Sequence, residues 1–281
     1  MKIALYLVMA AFLVPNVLWA WGSIEVFEEN YKVGDDLFTV SVDVDGGKVE
    51  FIKNDKDNQC HVLLKYPTER CEQEVEFDRG RNRLEIVVDH EWMSGKEKNE
   101  DNHTELMISL PTGCDISLQT DVKAGEITFE LGGLKIKNFE MHNWAGEVNI
   151  DFDEPNRTVL ENFDVDVKIG ELDIRRLGNA NFEQADINGG IGELSVDFSG
   201  EKIRNARADV DLDIGETTIT VPEDIGVKMR VSKFLFLSEV DYPNWFRKSG
   251  RYHYSRNCEN GDENLYLSVS TGIGEFKVRV R

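Results

Sequence analysis

The residues best able to do chemistry in this chain are carboxylates set at fixed distances from a recurring Gly-Glu dipeptide. Gly-Glu occurs at Gly125, Gly146, Gly170, Gly192, Gly215 and Gly274, with spacings of 21, 24, 22, 23 and 59 residues; a further copy at Gly200 falls out of register. Six residues before the first five of these glycines stand Gln119, Glu140, Asp164, Asp186 and Asp209, and four before stand Asp121, His142, Asp166, Asn188 and Asp211. If the repeats stack, these positions become columns with carboxylates about 5 Å apart, and each like-charge contact in water costs on the order of 0.8 kcal/mol. The columns read as a solvated acidic face or as a weak divalent-cation ladder, because hard cations take several carboxylate oxygens. Asp164, Asp166, Asp186, Asp209 and Asp211 are the candidate ligands. Weak calcium is the only cofactor the sequence admits, since a dedicated Gly-Gly-x-Gly-x-Asp calcium loop is missing.

A second set of residues suits contact more than catalysis. Tyr242, Trp245, Phe246, Tyr252 and Tyr254 interleave with Arg247, Lys248, Arg251 and Arg256. Residues 226–281 hold more basic than acidic groups, the reverse of residues 121–225. Such a segment caps the open end of a stack, and Trp245, Phe246, Arg247, Lys248, Tyr252 and Tyr254 also make a candidate partner surface for a glycan, an anionic envelope polymer or a protein. Catalytic residues are not evident. His61, His90, His103, His142 and His253 belong to no nucleophile or metal motif, and Asp89-His90-Glu91 alternates faces along one strand. Gly132-Gly133 and Gly189-Gly190 open no helix and precede no Lys-Ser/Thr pair, so they read as turns and not phosphate loops. The enzyme alternative is a β-helix polysaccharide-processing enzyme, with Arg175, Arg176, Arg204 and Arg207 as its basic candidates.

The N-terminus sets the expected compartment. Met1-Lys2, an apolar run over residues 3–14, a Pro15-Asn16 break and Val17-Leu18-Trp19-Ala20 read as a secretory signal over residues 1–20. Beyond Trp21 no run approaches the ~20 apolar residues of a membrane helix, so the mature chain is expected in the periplasm or outside the cell. There, four cysteines read as disulfides. Three pairings are formally open; the expected ones are Cys60 with Cys71, closing a short loop, and Cys114 with Cys258, stapling early chain to late chain. With 53 Asp and Glu against 32 Lys and Arg, a net charge of -21, the surface repels a phosphate backbone and excludes nucleic acid as partner.

The element that positions these residues is the repeat itself. Counting from each glycine, apolar residues favour odd positions before it and even positions after it, as in Phe163, Val165, Leu172 and Ile174. That is a period of two which slips by one residue at Gly-Glu. The slip is a bulge or corner, which glycine accommodates with positive φ, and it returns the following side chains to the same interior. One such unit cannot bury its own apolar face, so units must stack with parallel strands. The expected fold is all-β: a parallel β-solenoid, right-handed by the usual crossover chirality, with about 22 residues per rung and an N-terminal strand-rich cap. Residues 21–117 cap or extend the solenoid, 118–240 hold the repeats, 241–264 the aromatic and basic insertion, and 265–281 the final rung. Ser94 and Glu97 have capping-box spacing without a following apolar run, so residues 95–102 read as a charged loop.

The run Val210-Asp-Leu-Asp-Ile-Gly-Glu-Thr-Thr-Ile-Thr-Val-Pro-Glu-Asp-Ile-Gly-Val227 and the ending Leu265-Tyr-Leu-Ser-Val-Ser-Thr-Gly-Ile-Gly-Glu-Phe-Lys-Val278 resemble the bacterial candidate-adhesin β-solenoid family. They also resemble the related C-terminal module of cell-wall-active antibiotic response proteins. The resemblance covers roughly residues 36–281 and includes Ile108-Ser-Leu-Pro-Thr-Gly113. It implies a fold and no catalytic residues. The expected function is therefore that of an exported non-enzymatic solenoid presenting a binding surface to an envelope protein or glycan.

Overall fold

Each Gly-Glu lies inside one long strand that bends at the glycine. The computed structural model describes residues 24–90, 103–233, 238–241, 243–258 and 264–281; the expected signal segment at 1–20, Tyr242 and residues 95–102, expected as a charged loop, lie outside these. The chain enters through β1 (Ile24–Lys32), β2 (Phe38–Val44), β3 (Gly47–Lys53), β4 (Gln59–Pro67), β5 (Cys71–Asp78), β6 (Arg83–His90) and β7 (Glu105–Leu110). The bent strands follow as β8 (Ile116–Glu130), β9 (Ile136–Asp151), β10 (Leu160–Arg175), β11 (Phe182–Asp197) and β12 (Ala206–Val221). The remainder comprises β13 (Val227–Lys233), β14 (Ser238–Asp241), β15 (Phe246–Ser249), β16 (Tyr252–Ser255) and β17 (Leu265–Val280). All belong to one mostly parallel open sheet, and a single 3-10 turn at Leu177–Ala180 is the one helical element among the described residues.

Register follows the repeat residue for residue. Gly47, Gly125, Gly146, Gly170, Gly192, Gly215 and Gly274 stack on one another across successive parallel strands. Their φ angles lie between 132 and 154°, and from Gly125 onward a Cβ on any of them would sit 1.7–1.9 Å from the carbonyl oxygen of the glycine below. Strand direction can change without separating the strands only where no Cβ intervenes.

Sequence order and spatial order part at both ends. At the late end β17 pairs with β12 along its whole length and, on its other edge, with β13 and then β14. The C-terminal strand, expected as the final rung, is last in sequence but interior in space, which accounts for the 59-residue gap before Gly274. At the early end β2 and β3 form one rung on β8, while β6 and β7 pair with the far edge of β2 and β3. Antiparallel strands then cover the outer edges: β5 on β6, β4 on β7 with β1 on β4, and the β15–β16 hairpin on β13. Antiparallel edges of this sort stop the parallel ladder from templating further strands.

Inside, phenylalanines carry the stack from rung to rung. Phe51 lies 4.6 Å from Phe129, Phe129 4.9 Å from Phe139, and Phe139 5.0 Å from Phe163, alternating stacked and edge-on, each almost wholly buried. Burying each such ring contributes roughly 1.5–3 kcal/mol.

Two expectations need correction. The simple parity puts the residue before each glycine inside, yet Ile169, Ile191, Ile214 and Ile273 are exposed. The corner begins two residues ahead of the glycine, so in β10 Lys168 and Ile169 both point out between buried Val167 and Leu172. The cysteine pairs also fail, since none of the four buried cysteines is joined in a disulfide. Cys60 stands near the start of β4, whereas the Arg70 N–H bond to the Pro67 carbonyl, 3.1 Å, holds Cys71 near its end. Seven strand residues separate those points by about 20 Å, far beyond the 4.4–6.8 Å that a disulfide spans between Cα atoms. Cys114 adjoins β8 and Cys258 adjoins β13, with β9, β10, β11, β12 and β17 between, again more than about 20 Å. Burial pushes the Cys60 thiol up to about 12, with the nearby Cys114 adding to it, and the Cys114 thiol up to about 11.

Candidate functional site

The outer face of the stack is built from the positions that the interior leaves over. Glu140, Asp164, Asp186 and Asp209 stand in register on adjacent strands, and so do Asp121, His142, Asp166, Asn188 and Asp211. The first column is an unbroken run of carboxylates. In the second, Asn188 separates Asp166 from Asp211, so those two are about 10 Å apart at strand spacing. Relief comes largely along each strand: His142 Nε2 lies 3.1 Å from Glu140, Lys168 bonds Asp166 at 2.6 Å, and Gln184 donates to Asp186 at 2.8 Å. Among the described residues no three His, Cys, Asp or Glu side chains converge to hold a metal ion. The five aspartates named from the sequence are thus brought to one face but not to one point.

Crowding shows in Asp164 and Asp211. Burial is the main cause that raises the Asp164 carboxyl above its ordinary 3.8, reinforced by Asp186, Glu140 and Asp166 against the opposing pull of His142. For Asp211 it is burial and then Asp213, partly offset by a bond from Ser270. A carboxyl raised in the folded state binds its proton more tightly there than in the unfolded chain. Stability from that group therefore falls as pH rises from 3.8 through the raised value, and the penalty is complete above it. Asp164→Asn should raise the melting temperature at pH 7 and lose that advantage below pH ~3, where aspartate is protonated in both states. An unchanged melting temperature at pH 7 would show that the column carries no net strain.

The aromatic and basic segment folds as the β15–β16 hairpin laid on β13. Trp245 is buried and packs edge-on against half-buried Phe246 at 5.1 Å, so the two anchor the hairpin from beneath. Tyr252 and Tyr254 turn towards Lys228, whose Nζ lies 5.0 and 5.8 Å from their ring centres, with Tyr266 at 6.0 Å. Arg251 covers Tyr252 from 5.3 Å. Arg247 and Lys248 remain exposed. The segment is brought together, but its rings are largely engaged by its own cations.

What the sequence reading missed is the corner column. Ile169, Ile191, Ile214 and Ile273 are 55, 50, 43 and 47% exposed and stand in register, while exposed Trp144 on the next strand is one position off the column, level with Lys168. No pattern signalled it, since an equal mixture of large and small apolar residues, from Phe139 and Phe163 to Ala185 and Ala208, fills the buried position seven before the glycine.

Residues 23–175 match the family model described as the N-terminal domain of toast_rack, DUF2154. Comparison with curated proteins finds no match. Among solved structures, the chain is similar to a candidate cell adhesion protein from Clostridium sporogenes, 16% identical with a TM-score of 0.43 over 92% of this chain and 100% of that one. A candidate adhesin from Bacteroides fragilis is 13% identical with a TM-score of 0.36, covering 92% and 98% of the two chains. A candidate lipid-binding protein from Parabacteroides distasonis is 12% identical with a TM-score of 0.38, again over 92% and 98%.

Proposed function

The chain belongs to the family of the toast_rack N-terminal domain, DUF2154, and from that premise we propose that it is an exported, non-enzymatic module whose repeated outer face binds a partner at the cell envelope. The observation that carries this reading is the register. Bent strands aligned glycine on glycine present each outward position as a continuous column, which suits an extended contact more than a single reaction centre. On this reading residues 1–20 direct export, 21–117 cap one end, and the repeats of 118–240 wind right-handed with about 22 residues per turn. Residues 241–264 cover the other end and offer Arg247, Lys248, Tyr252 and Tyr254 as a second contact surface anchored by Trp245 and Phe246. The Asp164, Asp166, Asp186, Asp209 and Asp211 face binds calcium weakly at most.

Two assays test the class. Capture from envelope extract with the mature chain should retain a partner reproducibly, and incubation with acidic polysaccharides should release no product. Turnover that Arg175→Ala or Arg204→Ala abolishes would overturn the binding reading in favour of a polysaccharide-processing enzyme.

A further inference from the structure

The exposed isoleucine column is not required by the corner that carries it. Ala124 and Ala145 occupy the same position in two other rungs and make the same turn. Isolated apolar residues on a surface are ordinary, but four isoleucines in register on neighbouring strands form a contiguous ridge. The other large aliphatic side chains of these strands are buried or packed on the core.

Charge beside the ridge selects what can cover it. Immediately after each glycine the glutamates Glu126, Glu147, Glu171, Glu193, Glu216 and Glu275 form a second column in register with the first. Lys277 meets Glu216 at 2.9 Å and Glu275 at 3.0 Å, and Asn149 donates to Glu147 at 2.8 Å. Glu171 and Glu193, beside Ile169 and Ile191, have no ion-pair or hydrogen-bond partner among the described residues, and both are exposed. A basic occupant is favoured here, while an anionic lipid surface or a second copy of this acidic chain brings repulsion.

Spacing selects the occupant's secondary structure. Isoleucines on adjacent strands repeat about every 4.8 Å along the ridge. A β-strand lying along it would offer same-face side chains about every 6.7 Å and fall out of step at once. An α-helix offers an apolar stripe at i, i+3, i+4 and i+7, roughly every 5 Å, which keeps step over the ~14 Å from Ile169 to Ile273, or about ten residues. We propose that the corner ridge docks a basic amphipathic α-helix of a partner protein, its apolar stripe on Ile169, Ile191, Ile214 and Ile273 and its lysines or arginines facing Glu171 and Glu193. This rests on the reading of the chain as a binding module and names the face and the partner chemistry.

The probe is a fluorescent peptide of about 18 residues with leucines at helical spacing and lysines elsewhere, titrated into the mature chain. Controls are a peptide of the same composition in strict alternation and a helical one with glutamate in place of lysine. The helical basic peptide should bind at least tenfold more tightly than either. Ile191→Ser with Ile214→Ser should weaken it tenfold or more while the chain still folds cooperatively, because about half of each side chain is already exposed. Glu171→Gln with Glu193→Gln should weaken it and flatten its salt dependence. Equal binding by the alternating peptide, or no loss in the isoleucine variant, overturns the proposal. So does a dimer in sedimentation velocity that the isoleucine variant abolishes, since a second copy would then own the ridge. Envelope capture that survives the isoleucine substitutions would sink the ridge and leave the binding module standing; failure of capture by the parent chain would sink the module itself.

Discussion

Gly170→Ala and Gly192→Ala are each expected to destabilise the fold by about 3 kcal/mol or more, whereas Gly250→Ala should cost about 1 kcal/mol. All three glycines have positive φ, at 141, 146 and 61°. An alanine held in the left-handed region costs roughly 1–2 kcal/mol from backbone sterics alone. At Gly250 nothing lies within 4 Å of where the Cβ would be, so that term stands by itself. At Gly170 the Cβ would fall 1.8 Å from the Gly146 carbonyl oxygen, and at Gly192 1.7 Å from that of Gly170. Backbone on both sides cannot yield as a side chain can, so neighbouring rungs must move apart and give up ladder bonds around the corner. Urea unfolding at constant m-value measures the difference. If Gly170→Ala costs no more than Gly250→Ala, close stacking is not what the glycine serves.

That corner was legible in the sequence because it combines two independent signals, a reversal of alternation and a residue type that alone tolerates the reversal. The position just before it was not, since alternation says which side a residue faces only while the strand stays straight. Strand order was hidden for another reason. β17 fits between β12 and β13 by the same apolar alternation that would let it follow any rung, so the choice rests on how the β15–β16 hairpin and the strands at 227–241 occupy the outer slot. Cysteine spacing misled because eleven residues along the chain look like a short loop, whereas most of them here are drawn out in β4. The acidic columns were readable as columns, but the bond by which Gln184 relieves Asp186 on its own strand depends on a rotamer that no pattern encodes.

Least legible were the asparagines that close the side of the stack opposite the corner. In a sequence, Glu154-Pro155-Asn156 is an ordinary turn. In the fold, buried Asn156 accepts the Ile136 N–H at 2.8 Å through Oδ1, and the carbonyls of Ile136, Thr158 and Ala180, at 2.8, 3.0 and 3.0 Å from Nδ2, share its two amide hydrogens. One side chain thus joins three successive turns of chain. Asn179 acts similarly, donating to the Phe152 carbonyl at 2.9 Å and accepting the Glu201 N–H at 3.0 Å.

Asn156→Ala should accordingly destabilise by roughly 3 kcal/mol, since it leaves several buried backbone groups without a partner at about 1–3 kcal/mol for each one that water cannot reach. Asn156→Asp makes a sharper test because it conserves shape. At pH 7 it keeps an acceptor for the Ile136 N–H but replaces the donor by an oxygen aimed at three carbonyls, and it buries a charge. It should therefore be worse than Asn156→Ala despite the smaller change in volume. The introduced carboxyl is disfavoured in its charged form by the fold, so its folded-state pKa must lie above the unfolded value of about 3.9. The penalty grows as pH rises through that window and shrinks as pH falls, when protonation restores one donor. Unfolding free energies at pH 4 and pH 7 should then show the gap between Asn156→Asp and the parent narrowing at the lower pH, while the gap for Asn156→Ala stays nearly constant. An Asn156→Asp chain as stable as the parent at pH 7 would mean that the amide donors do not hold the turns together, and that the phenylalanine stack and the glycine corner alone set the register.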